Sequence, residues 1–340
     1  MGLEMKYGVC IECMTFNQAG YVKDTLDGFC KQKTNFPFIC IIMDDASTDG
    51  EQNVISRYMK EHFCLEDSEI VKEEKTDDYE MYFAQHKENK NCYFAFYQLK
   101  YNHFSQDKRK EPYLVPWRDS SKYIAMCEGD DYWTFPAKLQ VQFDYLESHP
   151  DVALSCHRYT ILDVASGATE VGKNPYFNSK KHVHETEFEF DKNYFLSVWI
   201  TKTLTNMYRR SAFKDDYYEG FKYARDVHFN YFALTKGKGV CHAFNGGIYR
   251  KNVNTSIFGN LNLTDQAEKN CKVFEELWEK TQDATVKNKL DALNVQYCMN
   301  RLRPVEGCYY WALKMVRRVH IPINFMKRGF SFEVPTLSLK

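Results

Sequence analysis

The chain has no apolar run approaching the ~18 residues that a membrane-spanning helix requires, so any action on lipid-linked material would have to come from the membrane surface. An excess of either charge is also missing: 45 Lys and Arg stand against 46 Asp and Glu, and the formal net charge of −1 leaves no global footprint for nucleic acid. The opening stretch, Met1 to Lys6, lacks the apolar core of a secretory signal. Twelve cysteines are present, yet Cys40, Cys127 and Cys156 lie in apolar runs rather than at disulfide-framework spacings. That usage reads as reduced, buried thiols in a cytoplasmic protein. Cys10 and Cys13 have CxxC spacing, but no second pair matches them, and core packing is the expected role. Against these absences stands an ordinary globular composition of 44% apolar and 27% charged residues, enough at 340 residues for one large domain or a domain with an appendage. Aromatic residues make up 16%, which points to an aromatic core or a sugar-lining surface.

One stretch organises the rest. Tyr123 to Cys127 reads as a short buried strand that runs straight into Glu128, Gly129, Asp130 and Asp131. Gly129 gives the backbone room to turn. Carboxylates crowded at a strand end repel one another unless they hold a cation, and hard cations such as Mg²⁺ or Mn²⁺ take oxygen ligands and share them with phosphates. In an open α/β sheet, ligands bind beyond the carboxyl ends of the strands. The cluster is therefore expected to be a metal–diphosphate site.

Around it the chain alternates. Tyr7–Met14 predicts a strand, the region from Tyr21 to Lys33 a helix, Phe38–Met43 a continuous buried strand, and the region from Val54 to Phe63 a second helix. Asp44 and Asp45 close the second strand. Asp107 to Glu111 reads as a solvated turn, Lys138 to Ser148 as a helix stopped by Pro150, and Val152–Cys156 as a strand. Ser166 to Lys192 is polar and reads as a loop over the site, and Lys202–Arg210 as an edge strand. Arg225–Leu234 predicts a helix with Asp226 in its first turn, where the helix dipole favours an anion. Val240–Phe244 and Gly247–Arg250 read as separate short strands. From Asp265 the pattern turns helical, and the tail from Arg301 interleaves basic and aromatic residues, a pattern that suits either an anionic membrane surface or a packed helical subdomain. The expected fold class is α/β: a doubly wound, mixed, mostly parallel sheet flanked by helices, with a C-terminal helical extension.

Taken singly, each acidic site has a plain structural reading: a helix cap at Asp44-Asp45, a charged turn at Asp130-Asp131, an N-terminal helix charge at Asp226. As an ordered set they resemble the family-2 glycosyltransferases of the GT-A fold, in the form seen in bacterial cell-surface polysaccharide enzymes. The resemblance runs from about Met5 to Asn254. Thr15-Phe-Asn17 looks like the family's Thr-Tyr-Asn signature, Asp44 to Asp49 is similar to its second-strand motif, and Glu128-Gly-Asp-Asp-Tyr-Trp133 matches its DxD-type motif. Asn102 to Ser105 resembles a loop near the nucleotide, and Tyr249-Arg250 a late motif near the active site. The resemblance implies a domain over residues 1–255 and an extension over 256–340. It implies a UDP-, GDP- or dTDP-sugar donor contacted by Thr15, Asn17, Asp45, Asn102, Glu128 and Asp130, with Asp45 accepting from the base. It implies Mg²⁺ or Mn²⁺ held by Asp131 with Asp130, and Asp226 as the catalytic base of an inverting transfer to a hydroxyl of a glycan or lipid-linked acceptor.

Two departures accompany it. Asn252 stands where the family often has a histidine that can ligate the metal, and the region from Asp67 to Ser121 is longer than the usual connection. A sugar nucleotidyltransferase is the alternative enzyme, but Thr15 to Gly20 lacks the glycine-rich basic loop that a triphosphate needs. A processive synthase is disfavoured by the missing spans and the missing Gln-x-x-Arg-Trp motif. An inactive sugar-binding or scaffold protein is the non-enzyme alternative, against which stand the intact Asp45, Asp130, Asp131 and Asp226. The expected location is cytoplasmic, with peripheral contact at the inner face of the plasma membrane through the tail, and no nucleic-acid partner.

Overall fold

The computed structural model describes residues 6–65, 72–216, 219–223, 225–253 and 261–301. The chain forms two compact units, Met1–Leu261 and Asn262–Lys340. In the first, β1 (Tyr7–Thr15), α1 (Val22–Cys30), β2 (Phe38–Asp44) and α2 (Glu51–His62) follow one another as the apolar pattern dictates. Next come β3 (Lys72–Lys75), β4 (Tyr79–Gln85) and β5 (Cys92–Leu99), then α3 (Glu111–Asp119), β6 (Ser121–Met126), β7 (Tyr132–Trp133) and α4 (Lys138–Ser148). The remainder is β8 (Val152–Asp163), β9 (Thr169–Val171), β10 (Glu187–Phe190), α5 (Lys192–Ser197), β11 (Met207–Arg209), α6 (Asp226–Leu234) and β12 (Lys238–Lys251). The second unit contains a helical hairpin of α7 (Leu263–Thr281) and α8 (Ala284–Arg301), with the Asn262 side chain accepting the Thr264 and Asp265 N–H groups at the start of α7. The basic tail expected to contact membrane lies outside the described residues.

The architecture is mixed α/β, one large sheet flanked by helices. Its strand order is β10-β12-β8-β11-β6-β1-β2-β5-β4-β3. The central strands β6, β1, β2 and β5 run parallel, and the flanks are mainly antiparallel. Central position explains the unbroken burial of β2: Ile39, Ile41 and Met43 face one core layer, and Phe38, Cys40 and Ile42 the other. Each such fully buried side chain contributes about 1.5–3 kcal/mol. Cys10 and Cys13 belong to these opposite layers, so the CxxC pair cannot share an ion, and both thiols are core. One polar exception lies within β1. Glu12 is buried beneath Arg118 of α3, which holds it bidentately (Nε–Oε1 2.5 Å, Nη2–Oε2 2.9 Å).

Four expectations need correction. Lys202–Arg210 is not an edge strand: β11 lies inside the sheet between β6 and β8, and Met207 and Tyr208 are buried because sheet neighbours and helices cover them from all sides. Ser166 to Lys192 is not simply a loop over the site, since its short strands β9 and β10 extend the sheet on β8 and β12, with Phe188 and Phe190 supplying the inward face. The two short strands proposed after Lys238 are one, β12, whose register against β8 shifts at irregularities near Asn245 and Ile248. Glu111 is not part of a solvated turn but starts α3, with a proline in the helix's first turn, where a missing N–H costs nothing.

Candidate functional site

The chain runs from β1 to β2 and β5 on one side, then returns to β6 on the other side of β1. That reversal opens a crevice at the carboxyl ends of β1 and β6, the position where α/β sheets bind ligands. Thr15, Asp45 and Glu128 all stand at this edge. Asp45 N–H donates to Thr15 O (3.0 Å), and Gly129 N–H to Met14 O (3.2 Å), so the loops after β2 and β6 are both tied to β1. A Cβ on Gly129 would collide with Thr15 Oγ1 and lie 2.6 Å from Gln18 Oε1, which is the reason for a glycine inside the acidic cluster. From behind, the Thr25 hydroxyl of α1 donates to the carbonyls of Gly129 (2.9 Å) and Asp131 (2.6 Å).

The acidic loop is held by β12 as well. Arg250 N–H donates to Asp131 Oδ1 at 2.8 Å, and its guanidinium donates to Asp130 O at 2.9 Å and pairs with Asp24. The same guanidinium stacks on the Tyr21 and Tyr132 rings, 5.1 and 4.5 Å from their centroids. Asp131 is buried, while Glu128 and Asp130 are half-buried. Burial and then repulsion from Asp130 and Asp226 push the Glu128 carboxyl up to about 7. Burial, Asp130 and Glu128 raise Asp131 well above the usual carboxylate range, and burial raises Asp130. Asp226, at the start of α6, is thus within electrostatic reach of the cluster. Its helix is fastened there by Asn230, whose Oδ1 accepts from Asn206 Nδ2 (3.1 Å) and the Tyr208 hydroxyl (2.8 Å).

At the loops after β1, β2 and β5, the candidate residues are held by neighbouring loop residues. Asp45 Oδ1 accepts from His103 N–H (2.7 Å), and Oδ2 from Phe104 N–H (3.2 Å) and Lys110 Nζ (2.7 Å). Asn102 Nδ2 donates to Asp45 O (3.1 Å), and its Oδ1 accepts from Ser105 N–H (2.7 Å). Asn17, in left-handed backbone (φ 54°), accepts Thr48 N–H (2.7 Å) and so clamps the loop after β2. The Thr15 hydroxyl bonds Glu51, whose carboxyl burial lifts to about 7. Phe16 and Phe104 are exposed beside these loops. Asn252 directs its amide to Asp163 Oδ2 (2.8 Å).

A divalent cation suits Asp131 and Asp130. Their adjacent carboxylates destabilise one another, and Asp131 receives a single backbone N–H, fewer donors than its lone pairs can take. Among the described residues no group of three or more His, Cys, Asp or Glu surrounds one point, so any such ion would complete its shell from ligand oxygens or water. Sequence reasoning did not single out Thr25, Lys110 or Lys202. Thr25 left a signal, a polar residue on the buried stripe of α1 with Val22, Leu26 and Phe29. Lys202 left none.

No protein-family model matches the chain. Over 152 residues it is 30% identical to uncharacterized proteins of Mycobacterium bovis and Mycobacterium tuberculosis, a match covering 45% of this chain and 35% of theirs. The chain thus spans about a third of the length of these curated relatives. Among solved structures it is similar to residues 1–349 of S. aureus TarS in complex with UDP, with a TM-score of 0.50 at 11% identity, covering 89% of this chain and 78% of that one. The complex of the same TarS segment with UDP-GlcNAc matches with a TM-score of 0.50 at 12% identity, covering 88% and 77%. These likenesses establish the shared fold.

Proposed function

We propose that the chain is an inverting, metal-dependent glycosyltransferase of the GT-A, family-2 type, with its catalytic domain over residues 1–255 and a helical extension over 256–340. It moves a sugar from a nucleotide donor to a hydroxyl of a glycan or lipid-linked acceptor, in the building of a surface polysaccharide. The observation that carries the reading is the placement of Glu128, Asp130 and Asp131 at the carboxyl end of a parallel strand, with Asp226 near enough to raise the Glu128 carboxyl. That edge is the ligand-binding edge of such sheets, and these carboxylates suit a divalent cation shared with a diphosphate on one side and a proton acceptor on the other. The likeness in fold to a protein captured with UDP and UDP-GlcNAc supports the same donor class.

In this reading the loops after β1, β2 and β5 receive the nucleoside, with Asp45 fixed by His103, Phe104 and Lys110 so that a carboxylate oxygen stands ready for a base N–H. Asp131, with Asp130, would hold Mg²⁺ or Mn²⁺, which when bound supplies charge neutralisation for the diphosphate. Arg250 and Thr25 keep that loop in one shape. Asp226 takes the proton from the acceptor hydroxyl as its oxygen bonds the anomeric carbon, and the nucleoside diphosphate departs with the electron pair of the broken C–O bond. One displacement inverts the centre, so no protein nucleophile is needed. Action at the inner face of a plasma membrane is consistent with a chain that, among its described residues, has no helix long and apolar enough to cross a bilayer.

A thermal-shift screen against UDP-, GDP- and dTDP-sugars with Mn²⁺ tests the reading. A bound donor at about 100 times its Kd stabilises by about 2.7 kcal/mol. Indifference to every nucleotide sugar, with and without metal, rejects it.

A further inference from the structure

The turn that carries Lys202 is bolted into the protein from several sides. Trp133 Nε1 donates to Leu204 O (2.8 Å), Gln142 Nε2 to Thr205 O (3.0 Å), and the Thr205 hydroxyl to Lys202 O (2.7 Å). Trp133 is the last residue of the acidic motif, so this turn is positioned by the very loop it faces. Thr201, just before it, meets Asn230 of α6 (3.4 Å), which links the turn to the helix of Asp226 as well.

Lys202 leaves this turn half-buried, its ammonium 4.3 Å from the centroid of Tyr249. Tyr249 directly precedes Arg250, whose N–H holds Asp131. The charges of Asp226, Asp131 and Glu128 all attract the ammonium. Among the described residues it nevertheless forms no ion pair or hydrogen bond, only the ring contact. A half-buried ammonium with three donors, held among carboxylates but bonded to none, is arranged for an anion that arrives later. Among the described residues no histidine joins Asp130 and Asp131, and the Asn252 amide is directed to Asp163.

We propose that Lys202 binds the diphosphate of the sugar donor, donating to oxygens of the phosphate next to the sugar. This rests on the transferase reading above and deepens it by assigning the leaving group its protein contact. As the bond between the anomeric carbon and the phosphate oxygen breaks, its electron pair passes to that oxygen, and the ammonium meets the growing charge without giving up a proton. The acceptor oxygen forms the new bond, and its proton passes to Asp226. The β-phosphate is what Lys202 reads.

Calorimetric titration with UDP, GDP and dTDP, and NMR titration with UMP, GMP and dTMP, all with Mn²⁺, tests this on the wild-type chain, Lys202→Met and Lys202→Arg. A hydrogen bond to a charged group predicts that Lys202→Met weakens the nucleoside diphosphate that binds by about tenfold or more, with the corresponding monophosphate nearly unchanged. Lys202→Arg recovers most of that loss. Equal weakening of mono- and diphosphate, or unchanged diphosphate binding, overturns the assignment while leaving the transferase reading in force. A wild-type chain that binds none of the three diphosphates removes that reading and this one together. Melting temperatures of the variants separate a misfolded chain from a lost contact.

Discussion

The backbone N–H of Arg250 donates to the carboxylate of Asp131 at 2.8 Å, joining positions 119 residues apart. The bond does two things. It supplies the buried carboxylate with its one N–H donor among the described residues, and it fixes the acidic loop after β6 to the strand β12. Substituting the Arg250 side chain would leave this backbone bond in place but remove the clamp on Asp130 O and Asp24.

Asp131→Ala is expected to abolish metal-dependent donor binding, because the better-buried of the two proposed metal ligands is gone. Titration with nucleoside diphosphates in the presence and absence of Mn²⁺ measures this. Metal-dependent binding that survives unchanged would sink the assignment.

Asp226→Asn is expected to keep donor binding and lose transfer by about 10²–10⁴-fold, the usual contribution of a general base. Donor affinity by calorimetry and turnover by nucleotide release separate the two effects. Full activity in this variant would remove Asp226 as the base.

Gly129→Ala is expected to weaken donor binding with a smaller effect on folding. The added methyl meets the Thr15 hydroxyl and the Gln18 side chain, so the acidic loop must lift away from β1. Gln18 can swing aside, whereas Thr15 is tied to Glu51. Comparing donor Kd with melting temperature checks this, and an unaltered Kd counts against the close packing of the two loops.

Lys138 yields a pH prediction. It is fully buried, its Nζ has no hydrogen-bond partner among the described residues, and it lies 3.8 Å over the Trp133 ring. Burial pushes its ammonium down to about 7. Between pH 7 and the ordinary lysine value the unfolded chain binds a proton that the folded chain lacks, so stability rises with pH across that window. Below pH 7 the cost of the buried charge is fully in force, on the order of 4–5 kcal/mol from the size of the displacement. Lys138→Met should therefore raise the melting temperature most at pH 6 and flatten the rise from pH 7 to 10. Parallel pH profiles for the two proteins would refute this.

By itself the sequence determined the elements. Apolar continuity marked β1, β2 and β6, helical spacing marked α1, α2, α4 and α6, and the ordered carboxylates Asp45, Glu128, Asp130, Asp131 and Asp226 stood out as a set. These are local signals, because side-chain burial imposes a period within each segment. Only the tertiary structure decided which segments are neighbours. β11 reads as an edge strand until burial of Met207 and Tyr208 from both sides puts it between β6 and β8. Lys202 reads only as the first residue of that strand until its turn is seen hydrogen-bonded to Trp133. The reason is common to both: strand pairing and long-range hydrogen bonds are settled by satisfying buried polar groups across the whole sheet, and no local pattern encodes the partner.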